Sequence, residues 1–207
     1  MAKGCESPER SCQEINDEGG VVMDCALSTS APGSTGPDGL VANRPSADHA
    51  HKLMLFGQFV GDWEAEFTVY SPEGTKQTER GEWHFGWVLE GRAIQDVWII
   101  PRRSERDKEG WARSDYGTAI RFYDPEIDAW RVVWVSPPNG ELLTFTGRQL
   151  GDEIVLEGND RDGSLMRWVF SKITRQSFHW RRIVSVDGGK TWRLHKEMLV
   201  RRVGPTQ

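Results

Sequence analysis

From residue 61 onward apolar and polar side chains alternate in short runs, the period of strands that bury one face. Trp63, Ala65, Phe67 and Val69 alternate with Glu64, Glu66, Thr68 and Tyr70, and Ser71-Pro72-Glu73-Gly74 then supplies a turn. Trp83, Phe85, Trp87 and Leu89 alternate in the same way with Glu82, His84, Gly86 and Val88, until Glu90-Gly91 breaks the run. Further strands are predicted over 93–100, 116–123, 130–134, 142–146, 154–156, 165–172, 178–186 and 192–201. Turn chemistry separates them, in Asp124-Pro125, Pro137-Pro138-Asn139-Gly140, Asp160-Arg161-Asp162-Gly163 and Asp187-Gly188-Gly189. A charged loop over 102–113 joins the third strand to the fourth. Ahead of the strands, Leu53, Phe56 and Val60 recur at helical spacing behind Asp48, an N-cap type of residue. This predicts a short helix within 47–59 that covers one end of the sheet.

About ten strands joined by tight turns, with no crossover helices, predict an all-β fold built as an up-and-down antiparallel sheet. Closure into a barrel removes the exposed edges of such a sheet, so a barrel is favoured. A two-sheet sandwich is the alternative, but it brings longer Greek-key connections than this chain offers. Barrels of this size either fill their interior with side chains or hold a small ligand there.

Residues 1–46 break the pattern. They are poor in large apolar side chains, rich in Ser, Gly, Pro and acid, and carry a net charge of −4 out of −5 for the chain. Such a segment buries too little apolar surface to offset its ordering entropy and reads as a disordered acidic tail. Its one apolar spot is Val21-Val22-Met23. The domain proper is expected over 47–207, close to neutral, with no basic face to suggest nucleic acid. Cys5, Cys12 and Cys25 all lie in the tail, so the fold does not rest on a disulfide framework and a reduced, cytoplasmic setting is expected. No apolar run reaches the roughly 20 residues of a membrane span, and no secretory leader is recognisable at the N-terminus.

Most of the ten tryptophans fall on the apolar parity of their strand, Trp63, Trp83, Trp87, Trp130, Trp134, Trp168, Trp180 and Trp192 among them. Each can simply fill the interior. Collectively they make an awkward dry core, because every buried indole N–H wants an acceptor. An aromatic-lined cavity is therefore favoured, with Trp83, Trp87, Trp98, Trp134, Trp168 and Trp180 as lining. Arg182 shares parity with Phe178, Trp180 and Val184, and an inward guanidinium needs a buried carboxylate or an anionic ligand. Asp96, on the parity of Ile94 and Trp98, is one possible partner. Arg148 follows Leu142, Thr144 and Thr146 and is placed inward on the same reasoning. Polar groups also interrupt other strands, including Arg121, His179 and His195, for which a solvated outer face is the default. His84, Asp96 and Glu197 are the acid–base candidates should the cavity be catalytic. No G-x-S-x-G, Walker loop, G-x-G-x-x-G or paired metal-ligand spacing is present, and no cofactor or metal is expected, although a barrel could gather His84, His179 and His195.

Gly61-Asp62-Trp63 behind a short helix resembles the G-x-W start of the calycin superfamily, which includes lipocalins and fatty-acid-binding proteins. The ordered set continues with Val88-Leu89-Glu90-Gly91-Arg92, Tyr123-Asp124-Pro125 with Trp130, Ser185 to Trp192, and Arg201-Arg202. Across residues 55–202 it is similar to a bacterial lipocalin-like family of unknown function. The resemblance implies a calycin barrel with a small-molecule pocket, and it brings no agreed activity and no catalytic residues to carry over. It also implies that Trp63 is structural, stacked on Arg201 or Arg202 through a cation–π contact. Nitrobindin, a haem-binding calycin, is a more distant likeness that points to His195. Its glycine-rich alternation after the tryptophan is replaced here by Glu64-Ala65-Glu66-Phe67.

The sequence thus predicts a barrel, monomeric or homodimeric, that binds a small hydrophobic or aromatic molecule, with arginines that suit an anionic one. The alternative is a cofactor-independent isomerase or cyclase using the same cavity to orient a hydrophobic intermediate. An inward acid or base without an ion-pair partner would favour the enzyme, and a filled interior would favour a structural barrel.

Overall fold

Ten strands follow one another around a closed barrel: β1 (Gly61–Tyr70), β2 (Lys76–Val88), β3 (Ala93–Ile100), β4 (Asp115–Asp124), β5 (Ala129–Ser136), β6 (Glu141–Leu150), β7 (Glu153–Asn159), β8 (Leu165–Ser171), β9 (Ser177–Ser185) and β10 (Arg193–Arg202). Each pairs antiparallel with the next, and β1 closes on β10 in the register Trp63 opposite Arg202. Closure excludes the two-sheet sandwich. The computed structural model describes residues 39–105 and 115–204. The three cysteines, the Val21-Val22-Met23 spot and part of the charged loop between β3 and β4 lie outside the described residues. No helix among the described residues is long and apolar enough to cross a membrane.

Helix α1 (Ala50–Gly57) is shorter than the predicted 47–59. Its N-cap position is His49, in the left-handed conformation with φ 56°, and makes no side-chain capping bond. Asp48 does not cap it: the backbone N–H of Asp48 turns back to Ser46 Oγ at 3.3 Å. Leu53 and Phe56 are buried, and Phe56 meets Trp130 and Phe170 edge-on at 4.8 and 5.8 Å. The helix therefore plugs the end of the barrel where β1 begins and β10 finishes.

The G-x-W step works at that end as the resemblance implies. Trp63 Nε1 donates to Phe59 O at 2.7 Å, and the Arg202 guanidinium lies 4.0 Å over the indole. Arg202 also donates to the carbonyls of Gln58, Val60 and Arg175. One cation thus ties the entry to β1, the turn before β9 and the end of β10 together.

Residues 39–46 belong to the barrel in the structure, although their composition places them in the tail. Ala42 N–H donates to Trp87 O at 2.9 Å, Leu89 N–H to Gly39 O at 2.9 Å, and Ser46 N–H to Gly91 O at 3.0 Å. They run beside the end of β2 as a short bridge.

Inward parity is as expected on most strands. Three assignments change, on β6, at Trp192 and at Arg121. On β6 the inward residues are Leu143, Phe145 and Gly147, so Leu142, Thr144, Thr146 and Arg148 face outward. Leu142 and Leu143 offer either parity, and Phe145, which carries the larger apolar surface, decides it. Trp192 precedes β10 and stacks outside the barrel under Arg167, 4.3 Å from its ring, with its N–H on Gly189 O at 3.1 Å.

Candidate binding site in the barrel

The interior is layered along the barrel axis. Next to α1 lies an aromatic layer of Phe59, Trp63, Phe85, Phe170 and Phe178, whose contacting ring centroids stand 4.8 to 6.5 Å apart. Trp87 belongs to this end: its ring would collide with a Cβ at Gly57, at 2.6 Å, which is why a glycine closes α1. Of the proposed lining residues, Trp87 therefore stands apart from the rest.

Above this layer sits a buried ion pair. Arg121 from β4 and Asp96 from β3 point inward, each only 1% exposed, and Arg121 Nη2 donates to Asp96 Oδ2. Burial pushes the Asp96 carboxyl up and the Arg121 guanidinium down, while each partner's charge pushes back. The guanidinium also lies 4.9 Å from the Phe56 ring and 5.4 Å from that of Phe85. Asp96 is thus committed to Arg121 rather than to Arg182. Sequence reasoning noted Arg121 as a mid-strand cation but left it on the outer face. Its alternation with Ala119 and Tyr123 was the available signal.

The middle layer is an indole box. Trp98 approaches Trp134, Trp168 and Trp180 at 4.9, 5.9 and 5.0 Å, and Trp168 approaches Trp134 and Trp180 at 5.5 and 5.4 Å. Trp83 adjoins it, 5.6 Å from Trp98 and 6.2 Å from Trp180. Gly117 makes room for Trp134, whose ring would lie 2.5 Å from a Cβ there. Two of these indoles are anchored: Trp98 Nε1 donates to Asp115 O at 2.8 Å and Trp134 Nε1 to Glu141 Oε2 at 2.9 Å. Trp83, Trp168 and Trp180 are buried with no hydrogen-bond acceptor among the described residues. Trp83 adjoins Asp96 and opposes, without reversing, the rise that burial imposes on the carboxyl.

At the end away from α1 the interior turns polar. Arg182 is inward, as its parity predicts, but its partners are Asp160 at 2.5 Å and Glu141 at 4.0 Å. Beside it on β10, Lys196 binds Asp115 at 2.5 Å. A β-bulge between Leu194 and Lys196 gives His195 to neither parity. Burial, then the charges of Arg182, Lys196 and Arg193, lower the His195 pKa to about 4 against the opposing effect of Asp160. His195 is therefore neutral at pH 7. Its position at the mouth was not legible from alternation, because the bulge is what places it there.

The remaining acid–base candidates lie outside the barrel interior. His84 Nδ1 contacts Asp62 at 2.6 Å and Nε2 contacts Glu82 at 3.2 Å, on the outer face of β1 and β2. Glu197 accepts from Tyr70 and contacts His179 at 2.6 Å. Burial pulls Glu197 up, but the bonds from Tyr70 and His179 outweigh it and leave the carboxyl below its ordinary range. His84, His179 and His195 are not gathered, and no cluster of three or more metal-ligating side chains occurs among the described residues. Arg148 lines an outside groove beside α1 with Lys52 and Asp128.

This barrel is similar in fold to the S-type phycobiliprotein lyase from Guillardia theta, with a TM-score of 0.51 and 12% identity over 74% of this chain and 93% of the lyase. It is also similar to Rv2717c from M. tuberculosis, with a TM-score of 0.49 and 12% identity over 74% of this chain and 98% of that one. At such identity the likeness to the lyase is one of fold, a closed antiparallel barrel. No family model and no curated protein matches the chain.

Proposed function

We propose that the barrel binds a small aromatic or hydrophobic molecule that carries acceptor oxygens, a carboxylate in the first instance. The observation that carries this reading is the imbalance of unpaired polar atoms inside. Among the described residues, Nε1 of Trp168 and Trp180, Nε and Nη1 of Arg121, and Nε of Arg182 are buried side-chain donors without acceptors inside the barrel, while Trp83 Nε1 adjoins Asp96, whose Oδ1 is the unpaired side-chain acceptor there. A buried donor left unmade costs about 1–3 kcal/mol, so an interior this rich in donors is completed by a guest or by water that accepts. The rings supply apolar surface and stacking edges for the body of the guest.

The indoles touch one another, so a guest enters by displacing them. Trp168 and Trp180 are held by packing alone, whereas Trp98 and Trp134 are pinned at the mouth. The unpinned pair is the side that can give way. A haem macrocycle does not fit the residues present, because four contacting indoles occupy the cross-section inside Arg182. The enzyme reading is less supported: His84 and Glu197 lie outside, and Asp96 is ion-paired. His195, with a pKa near 4, is a weak base at neutral pH.

Titration with 2-naphthoate, read by tryptophan fluorescence, tests the proposal beside the neutral control 2-naphthalenemethanol. Saturable quenching by the carboxylate, weakened at least about fivefold in Trp168→Phe and Trp180→Phe, is expected, since a bond to an anion is worth roughly 1.5–3 kcal/mol. Native mass spectrometry should show a co-purifying small molecule. A protein that carries no such molecule and gives no saturable quenching is a structural barrel, and the proposal fails.

A further inference from the structure

A second opening lies outside the barrel interior, in the groove between α1 and the ends of β4, β5 and β6. Its volume is about 820 Å³, within the range of sites for small organic molecules. One carboxylate fixes the wall on the helix side. Asp128, in the β4–β5 turn, accepts on Oδ1 from Lys52 Nζ at 2.5 Å and from the Tyr123 hydroxyl at 2.6 Å. His49, just ahead of α1, packs on the Tyr123 ring at 5.4 Å. Met54, Leu55 and Ile127 give this wall its apolar surface. Trp130 forms the floor, and Gly147, opposite it on β6, brings no side chain to cover it. Arg148 and Gln149 make the facing wall.

Three features of the groove call for an oxyanion. Asp128 is committed to Lys52 and Tyr123, whereas Arg148 makes no hydrogen bond or ion pair among the described residues, so one cation is left over. The charge of Arg148 reaches Asp128 and helps to hold that carboxyl below its ordinary range, which puts the guanidinium at the groove and not turned away from it. Trp130 is only 2% exposed, and its indole N–H has no acceptor among the described residues, so the floor carries a nearly buried donor left unmade. We propose that the groove binds a small amphipathic molecule by a carboxylate or phosphate head. Arg148 takes the head with its planar fork of N–H groups, the Trp130 N–H is the second donor, and the apolar body lies along Met54, Leu55 and Ile127. A bare anion would leave that apolar wall in water, and a cationic guest would meet Lys52 and Arg148 against one acid already bonded twice. The reversed parity of β6 moves Arg148 out of the interior without cancelling the anion chemistry its sequence position suggested. The Phe56–Trp130 contact at 4.8 Å closes the groove from the interior, so this site stands whether or not the interior takes a guest.

Two-dimensional N–H spectra of the isotope-labelled full chain, titrated with 4-phenylbutyrate, neutral 4-phenylbutanol or inorganic phosphate, test the proposal. The butyrate should shift the Trp130 indole and Gln149 signals saturably, with a Kd below about 1 mM. Each control offers half of the match and should bind at least about fivefold more weakly. Arg148→Gln should weaken the butyrate about tenfold, the worth of one charge-assisted bond, and Arg148→Lys should lose less. Neither should lower the thermal midpoint, because Arg148 has no protein partner to lose. Equal affinity of Arg148→Gln and wild type overturns the inference, as does phosphate that binds as tightly as the butyrate. So does a response confined to the Trp168 and Trp180 indoles, which would place the compound in the barrel and support the reading of the interior instead. Uptake of the protein by phosphatidylglycerol vesicles, without any response to the free acid, would make the groove a membrane contact and overturns it as well.

Discussion

Gly61 shows how much of the closed end depends on one missing side chain. Its φ of 125° is a glycine conformation, and a Cβ there would lie 2.7 Å from Arg202 Nη1. The Arg202 fork cannot yield freely, because it donates to three carbonyls while covering Trp63. Gly61→Ala should therefore cost about 1–3 kcal/mol in backbone strain alone, seen as a lower urea midpoint with unchanged slope. Arg202→Ala should cost a comparable amount, and the double variant should lose less than the sum, because the collision disappears with the arginine. Strict additivity would show that the two residues act separately. At this scale the sequence was informative: the G-x-W step and the terminal arginines predicted the Trp63 stack. The partner of Asp96 was not legible, since only Arg182 and Arg148 were placed inward, Arg121 was left on the outer face, and alternation carries no depth along the barrel axis. Arg182 lies near the mouth with Asp160 and Glu141, and Arg121 lies deeper, beside Asp96.

Among elements, β10 carries the largest departure from simple alternation. Met198 and Val200 face inward, and Lys196 lies opposite Arg182, but the bulge between Leu194 and Lys196 inserts His195 beside the mouth cations. The charged groups around it come from three elements: Arg182 on β9, Lys196 and Arg193 on β10, and Asp160 in the turn between β7 and β8. Its folded pKa of about 4 lies below the ordinary 6.5. Between those values the unfolded chain holds more protons than the folded one, so stability rises with pH across that window and is complete above about 6.5. Acidification from pH 6.5 to 4 should thus lower the wild-type urea midpoint, and His195→Gln should flatten that stretch. The loss from Glu82 comes lower, between its ordinary 4.5 and about 2. Parallel curves for wild type and His195→Gln from pH 7 to 4.5 would show that His195 is not shielded from protons at the bulge. Alternation located all ten strands yet misread β6, where adjacent leucines fit either face and two threonines tolerate both. Such a tie is broken by packing against β5 and β7, which a single strand cannot reveal.

On the scale of the molecule, the barrel is sealed at one end by α1 and Arg202, laced at the other by ion pairs, and bound along β2 by residues 39–46. Composition assigned those residues to the tail because Gly39, Asn43 and Pro45 lack the bulk of core residues. Their contribution is backbone: three hydrogen bonds to the end of β2 and the turn after it. Gly91, with φ 82°, admits this strap, since any Cβ would strike the backbone of Arg44 to Ser46. Two truncations separate the strap from what precedes it. A chain starting at Gly39 keeps all three bonds, and a chain starting at Ala47 loses them. At roughly 1 kcal/mol per hydrogen bond, with some apolar burial besides, the second should be less stable than the first by about 2–4 kcal/mol. That corresponds to a thermal midpoint lower by on the order of 10 °C for a domain of this size. Equal midpoints for the two truncations would mean that the strap rides on the barrel without supporting it. The boundary drawn from composition, after residue 46, would then also be the energetic one.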